Sequence, residues 1–111
     1  METTRQNKVS RLIQKEMSAI FLLHSRSLFE GRLISVTTVR ISPDLSVARV
    51  YISIFPTEKR NEIYEIVKEN SPKLRFDLGQ KVGKQLRIIP QLSFFVDDSL
   101  DYADNIDKLL K

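Results

Sequence analysis

Cysteine is absent from this chain, and that absence excludes several kinds of chemistry at once. Without a thiol there is no thiolate nucleophile, no cysteine-rich zinc site and no disulfide framework. A chain without cysteine also fits a reducing compartment, so we expect a cytoplasmic protein. Long apolar runs are missing too: the longest lies around residues 19–23, far too short for a membrane span or a signal peptide. We therefore expect no membrane partner.

Stretches rich in glycine, proline or serine are also lacking, so nothing in the sequence marks a linker between two domains. The chain has 111 residues, of which 41% are hydrophobic, which is enough to build one packed core without a metal or a disulfide. We expect residues 1–111 to form a single domain that folds on its own as a monomer.

Groups that carry catalysis are scarce as well. The one histidine, His24, has no partners at the spacing of a catalytic or metal-binding motif, so we expect it to serve structure or surface. Five aspartates between residues 97 and 107 lack the spacing, the glycine and the terminal glutamate of a calcium loop, and they are better explained as caps and solvated charges of a short C-terminal helix. These absences predict a protein that is not an enzyme and uses no cofactor, metal or small-molecule substrate.

Charge is plentiful and unevenly distributed. The net charge is +4, which favours a polyanion as partner. Residues 1–50 carry eight Lys and Arg against four acids, and residues 73–90 carry five cations against Asp77 alone. Residues 97–107 hold the five aspartates and no base. The sequence therefore predicts a polarised molecule with two basic segments and an acidic end.

Three stretches have helical periodicity. Apolar residues recur every three or four positions over residues 4–27, with Leu23 among them, which predicts a first helix with one buried side. A second helix is expected over residues 58–70, with Thr57 as its cap. Pro72 should push Ser71 out of helical conformation and start a third helix, whose apolar row continues to Leu86. We expect a sharp break between the second and third helices.

Three other stretches have the composition of strands. Residues 33–41 are rich in β-branched side chains, but the apolar positions change parity between Val36 and Val39, which indicates a bulge or burial on both faces. Residues 46–55 alternate cleanly, and residues 42–45, Ser-Pro-Asp-Leu, read as a type I turn that makes a hairpin. Residues 92–96 alternate as a third strand. The order α-β-β-α-α-β predicts an α+β fold, with helices on one face of a three-stranded sheet.

Two blocks of this sequence resemble a known family. Residues 42–53, SPDLSVARVYIS, look like the turn and second strand of ribosome-binding factor A, and residues 86–99, LRIIPQLSFFVDDS, resemble its other distinguishing block. Residues 7–10 and Glu16 are similar to the family's opening helix, so the resemblance extends over residues 5–110. It implies a type II KH-like domain that binds the immature small (30S) ribosomal subunit and its 16S rRNA, assists late maturation and leaves before translation.

One short segment departs from that family. Ordinary KH domains carry Gly-x-x-Gly between the two central helices, and this family usually has Ala-x-Gly there. Residues 70–73 of this chain read Asn-Ser-Pro-Lys and match neither pattern. The sequence therefore predicts the break between the helices without predicting how it would contact RNA.

Two rows of cations are the candidate RNA contacts, because Lys and Arg are the usual partners of phosphate oxygens. The first row lies on one side of the first helix and the second lies on the third helix, where the resemblance implies that RNA backbone runs. A solvated helix face is the alternative for either row. The first row comprises Arg5, Lys8, Arg11 and Lys15, and the second comprises Lys81, Lys84 and Arg87, with Lys73 and Arg75 nearby in the same basic segment.

The second strand carries a further candidate RNA contact. Arg49 and Tyr51 share the face opposite the core, where a base could stack on the tyrosine ring, although cross-strand packing explains them equally well. Phe76, Phe94 and Phe95 are expected in the core.

The alternative to an RNA-binding factor is a protein-interaction module whose basic faces dock an acidic partner. A hydrolase that uses the aspartates is a third hypothesis, which nothing in the sequence requires.

Overall fold

The computed structural model describes residues 3–97 and arranges them as helices packed on one face of a sheet. The elements are α1 Thr4–Leu23, β1 Leu33–Ile41, β2 Val47–Phe55, α2 Arg60–Glu69, α3 Ser71–Val82 and β3 Gln91–Val96. The predicted α+β class and the order α-β-β-α-α-β are confirmed. The predicted C-terminal helix falls on residues that lie outside the described part of the chain. Within residues 3–97, no helix combines the length and the apolar character needed to cross a membrane.

Helix α1 begins at a capping box and ends earlier than predicted. The Thr3 side chain accepts a hydrogen bond from the Gln6 N–H at 3.1 Å, and the Gln6 side chain accepts one from the Thr3 N–H at 2.8 Å. The helix ends at Leu23 rather than near residue 27, because the chain turns there and closes with a bond from the Gly31 N–H to the Ser25 carbonyl. Leu23, predicted to be buried, is 72% exposed, and Phe21 is buried instead.

The hairpin of β1 and β2 is antiparallel and contains the predicted bulge. The pairing shifts between Val36 and Thr38, so Thr37 is the extra residue. The Gln14 amide donates to the Val36 carbonyl at 3.2 Å, which ties the bulge to α1. The Thr37 hydroxyl lies 2.6 Å from Asp97 Oδ2, so the bulge also contacts the residue that follows β3.

The sheet has the order β1-β2-β3, with β2 and β3 parallel. The four residues of β2 that were predicted to face the core, Ala48, Val50, Ile52 and Ile54, are all buried. They form one apolar cluster with the inward sides of the three helices. No helix of the described residues covers the other side of the sheet. The side chains that alternation places there are exposed or half-buried.

Helix α2 begins later than predicted and lacks the predicted cap. It starts at Arg60, and the cap position is Lys59, which has a left-handed backbone (φ 61°) and makes no side-chain cap bond. Thr57 contributes only its carbonyl oxygen, which accepts a bond from the Arg60 N–H at 3.1 Å. The prediction that Thr57 caps the helix is wrong, because the left-handed turn moves the cap two residues along the chain.

The predicted break between α2 and α3 is confirmed and lies at Asn70. This residue has φ −93° and ψ 10°, and both its backbone N–H and its side-chain amide donate to the Ile66 carbonyl. Pro72 occupies the first turn of α3. Residues in the first turn donate no N–H to a hydrogen bond within the helix, so the N–H that proline lacks is not needed there. Ser71 is the first helical residue, so the expectation that Pro72 removes it from the helix is wrong by one position.

Helix α3 is one turn shorter than predicted, and this changes where the cations lie. It ends at Val82, although the apolar row continued to Leu86 in the sequence. Gly83 follows as the cap, and glycine disfavours a helix interior by about 1 kcal/mol relative to alanine. The Arg75 side chain donates to the carbonyls of Ile89 at 2.7 Å and Pro90 at 3.1 Å, which holds the returning loop against the helix.

Candidate nucleic-acid interface

A groove of about 480 Å³ lies where three parts of the chain meet. Its lining includes Arg5 and Lys8 from the start of α1, residues 43–45 from the hairpin turn, and residues 85–88 from the loop between α3 and β3. The first predicted row of cations therefore meets the last member of the second row, Arg87, across one groove. We call it the basic groove.

Hydrogen bonds from two side chains hold two walls of the basic groove in place. The Gln6 side chain is 5% exposed and donates to the Ile41 carbonyl at 2.9 Å, which fixes the start of α1 to the end of β1. Arg75 holds the loop that carries Arg87. Because each wall is anchored to the sheet or to a neighbouring helix, the groove is set up by the fold itself.

The hairpin turn forms the third wall, and Asp44 organises it. One carboxylate oxygen of Asp44 accepts bonds from the hydroxyls of Ser46 and Ser42, both at 2.7 Å, and from the Ser46 N–H at 3.1 Å. These bonds, the one from the Ser46 hydroxyl above all, lower the pKa of Asp44 from 3.8 to about 2. The groove therefore holds one carboxylate whose charge is already satisfied by the turn.

The cations of the groove are available to a ligand. Arg5, Lys8 and Arg87 are all exposed, and among residues 3–97 no carboxylate lies within 4 Å of their charged ends. Three cations facing one occupied carboxylate give the groove a positive potential. An extended anion that carries several charges, such as an RNA backbone, matches this arrangement.

The rest of the first row continues away from the groove along α1. Arg11 and Lys15 are exposed on the side that carries Arg5 and Lys8. At 1.5 Å per helical residue, the four cations extend over about 15 Å. The first row is thus a continuous exposed stripe that begins at the groove.

The second row does not exist as a helical row. Lys81 lies in the last turn of α3, Lys84 lies in the turn that follows, and Arg87 lies in the loop that lines the groove. All three are exposed, but α3 ends before the last two, so the prediction that they share one face of a helix is wrong. The change of direction after Val82 is what brings Arg87 to α1.

Three other predicted residues lie apart from the groove. Lys73 is exposed in the first turn of α3, beside the helix break. Arg75 is exposed, but its guanidinium is engaged by the two loop carbonyls. Arg49 lies on the outer face of the sheet and is paired in register with Arg40, a residue that the sequence reasoning did not single out. The hairpin turn fixes that register, so the pairing could have been found by counting back from it.

Several apolar side chains are exposed where burial was expected. Phe94 is buried as predicted, whereas Phe76 is 65% exposed on α3 and Phe95 is 40% exposed on the sheet. Ile88, next to Arg87 in the groove, is 72% exposed and was not singled out from the sequence. Tyr51 and Phe95 stack with ring centroids 5.3 Å apart, so the tyrosine packs across the strands.

A hydrogen bond between His24 and Asp77 joins the end of α1 to α3. The His24 Nε2 atom lies 2.9 Å from Asp77 Oδ2, which matches the expected structural use of the single histidine. In the part of the chain that the structure describes, no three His, Asp or Glu side chains come together as a metal site would require.

Known proteins resemble this chain over nearly its whole length. The family model described as ribosome-binding factor A matches residues 5–110. A ribosome-binding factor A of Cytophaga hutchinsonii is 51% identical over 110 residues, which cover 99% of this chain and 83% of that protein. The crystal structure of ribosome-binding factor A from Thermus thermophilus superposes with a TM-score of 0.65 at 25% identity, over 82% of this chain and 94% of that one.

A second similar structure belongs to a complex with a ribosomal subunit. It is a homology model of the Thermus thermophilus ribosome-binding factor A, fitted into a cryo-EM map of a complex with the 30S subunit. It matches with a TM-score of 0.55 at 25% identity, over 88% of this chain and 97% of that one. The fold and the sequence of this chain thus point to the same group of proteins.

Proposed function

Because the chain belongs to the ribosome-binding factor A family, we propose that it is an assembly factor of the small ribosomal subunit. It binds the immature 30S subunit, contacts 16S rRNA and assists late maturation or processing without doing chemistry of its own. It acts in the cytoplasm as a monomer, and residues 1–111 form one KH-like RNA-binding domain. The observation that carries this proposal is the meeting of Arg5, Lys8 and Arg87 at one groove.

The groove supplies the affinity. Each phosphate that a Lys or Arg neutralises releases condensed counterions, so several aligned cations bind RNA strongly and with little sequence preference. The stripe on α1 continues the contact through Arg11 and Lys15. Lys73 and Lys81 add charge along α3, and Lys84 adds charge in the turn that follows it. Arg75 acts through the loop that it holds, so we assign it the role of positioning Arg87.

Two matched double variants test the groove. Lys8→Ala with Arg87→Ala removes two positive charges from it, and Arg26→Ala with Lys68→Ala removes two exposed charges elsewhere. We expect the groove variant to bind immature small subunits more weakly and to flatten the plot of log affinity against log salt by about 1.4 to 1.8 units, because two phosphate contacts are lost. The control should keep both the affinity and the slope. Binding is measured by co-sedimentation over a range of salt concentrations.

Two results would reject the proposal. If the folded groove variant binds subunits like the control, the groove is not the RNA-facing surface. If the partner of this chain survives ribonuclease treatment in a pull-down, the protein-interaction alternative is correct. The comparison of variants requires that thermal unfolding shows both to be folded, which we expect because the four substituted side chains are exposed.

A further inference from the structure

Two arginines face each other on the outer side of the sheet. Arg40 of β1 and Arg49 of β2 are direct partners in the antiparallel register, and both are exposed. Among the described residues, neither has a carboxylate within 4 Å of its guanidinium. Like charges placed directly opposite each other destabilise a sheet, so this pair works against the fold that contains it. Residues that break a local rule in this way are expected at binding sites.

An aromatic pair lies next to the arginines. Tyr51 follows Arg49 by two residues, which is about 7 Å along the strand on the same face. Its ring stacks on Phe95 of β3 with an interplanar angle of 26°. Because Phe95 remains 40% exposed, the pair presents an open aromatic surface beside two positive charges.

Among the described residues, the strands themselves carry no negative charge on this side of the sheet. The outward positions of β1, β2 and β3 hold no Asp or Glu. The nearest carboxylate along β3 is that of Asp97, which follows the strand and lies against the Thr37 hydroxyl. A small groove of about 260 Å³ runs between Arg40 and Arg49, and the Ser42 side chain is part of its lining. The face is thus cationic and aromatic.

We propose that this face is a second RNA-binding site, which takes unpaired nucleotides. A base stacks on the exposed side of Phe95, and the adjoining phosphate lies between Arg40 and Arg49. The nucleotide must be unpaired, because a base inside a duplex has no free face for an aromatic ring. The inference rests on the proposed RNA-binding function, but it concerns the side of the sheet opposite the helices and residues that do not line the basic groove.

RNA fits this face better than an acidic peptide does. Base stacking on aromatic rings tolerates any sequence, since every base has a flat face, and arginines beside such rings are typical of surfaces that bind single strands. An acidic peptide would use the arginines but would leave the stacked rings unexplained. The same combination of sheet and aromatics serves RNA recognition in other sheet-based modules.

The test uses the full chain, a short uridylate RNA and two single variants. Phe95→Leu keeps an apolar side chain against Tyr51 but removes the flat face, so we expect it to weaken RNA binding by about 5- to 150-fold. Arg40→Glu exchanges a like-charge pair for an opposite-charge pair, so we expect a higher melting temperature together with weaker RNA binding. Gains in stability and losses in binding that occur together are not expected of a purely structural residue.

Amide chemical shifts locate the site, and Arg26→Glu serves as a control with the same change of charge as Arg40→Glu. We expect the RNA to shift the amides around Tyr51 and Phe95 in the wild type and in the control. The proposal is overturned if both sheet variants bind the RNA as tightly as the control does. It is also overturned if the Phe95 ring makes contacts with residues 98–111 that RNA does not displace, because the chain would then cover its own face.

These outcomes are separate from those of the proposed function. If the wild type binds small subunits in a ribonuclease-sensitive way while the sheet variants are indistinguishable from it, the second site is rejected and the assembly function stands. If the wild type fails to bind subunits at all, the assembly function is rejected.

Discussion

Asp44 shows how one residue shapes the basic groove through the turn that it organises. Its carboxylate collects the hydroxyls of Ser46 and Ser42 and closes the turn that forms one wall of the basic groove. The pKa of this carboxyl falls to about 2 in the folded chain from 3.8, so the ionised form favours folding. The contribution is complete above about pH 3.8 and is lost as the pH falls through 2.

The titration of Asp44 can be measured directly. We expect its carboxyl carbon shift to report a pKa near 2 in the native chain. Ser46→Ala should move the pKa back toward 3.8, because the hydrogen bond from the Ser46 hydroxyl is the largest cause of the lowered pKa. Ser53→Ala, which removes a hydroxyl far along β2, serves as the control and should leave the titration unchanged. An unaltered pKa of Asp44 in Ser46→Ala would show that other hydrogen bonds stabilise the ionised carboxylate.

At this scale the sequence predicts burial well and exposure poorly. Alternation identified the inward residues of β2 correctly, because a strand has only two faces. It also placed Phe95 on the face opposite Phe94, yet Phe95 was expected in the core because of its size. Large apolar residues at a surface are common enough that size does not decide burial, and Phe76 illustrates the same point on a helix.

Arg75 shows how a residue inside a helix holds a loop that lies far along the sequence. Its guanidinium binds the carbonyls of Ile89 and Pro90 and so holds the loop after α3. Arg75→Ala should lower the free energy of unfolding by about 1–2 kcal/mol, because two hydrogen bonds with modest net contributions are lost. Arg75→Lys should lose much of the same stability, because lysine keeps the charge but not the planar fork of donors.

Urea unfolding and hydrogen exchange test this role. Exchange at the Ile88 and Ile89 amides should be faster in both Arg75 variants, because the loop loses its anchor. Gln80→Ala, on the exposed side of the same helix, should leave the loop and the stability unchanged. If Arg75→Lys matches the wild type in both measurements, charge rather than the two donated bonds stabilises the loop.

Element order and breaks are predictable from the sequence here, and element ends are less so. The hairpin and the break near Pro72 follow from proline and from strand alternation, which act within a few residues. α3 ends at the Gly83 cap although Leu86 continues the helical phase, and the loop that follows is held by a contact between Arg75 and carbonyls more than ten residues later. Local patterns carry no information on that contact.

At the scale of the whole molecule, the charges should make binding to small subunits strongly dependent on salt. About five phosphate contacts, drawn from the exposed cations of the groove and the two rows, give a slope of about −0.7 to −0.9 per contact. Raising salt from about 50 to about 200 mM should then weaken binding roughly 100- to 500-fold. Arg26→Ala with Lys68→Ala should show the same dependence. A nearly flat dependence in the wild type would contradict binding through phosphates.

The cations that line the basic groove were identified in the sequence, but the way in which they come together could not be predicted from it. The sequence showed that both segments are basic, yet nothing in the spacing of their cations indicated that Arg5 and Arg87 line the same groove. That meeting requires β3 to pair with β2 in parallel and the loop before β3 to turn toward α1. Both depend on tertiary contacts between residues that are far apart in the sequence.

The parallel pairing of β2 and β3 also has a consequence for synthesis of the chain. Residues 56–90 must be added after β2 before its partner strand begins. At about 5–20 residues per second, this takes roughly 2–7 s, during which one edge of β2 has no partner. A nascent chain at that stage carries Arg5 and Lys8 but not the opposing wall of the groove. The basic groove is therefore complete only after Arg87 has been added to the chain.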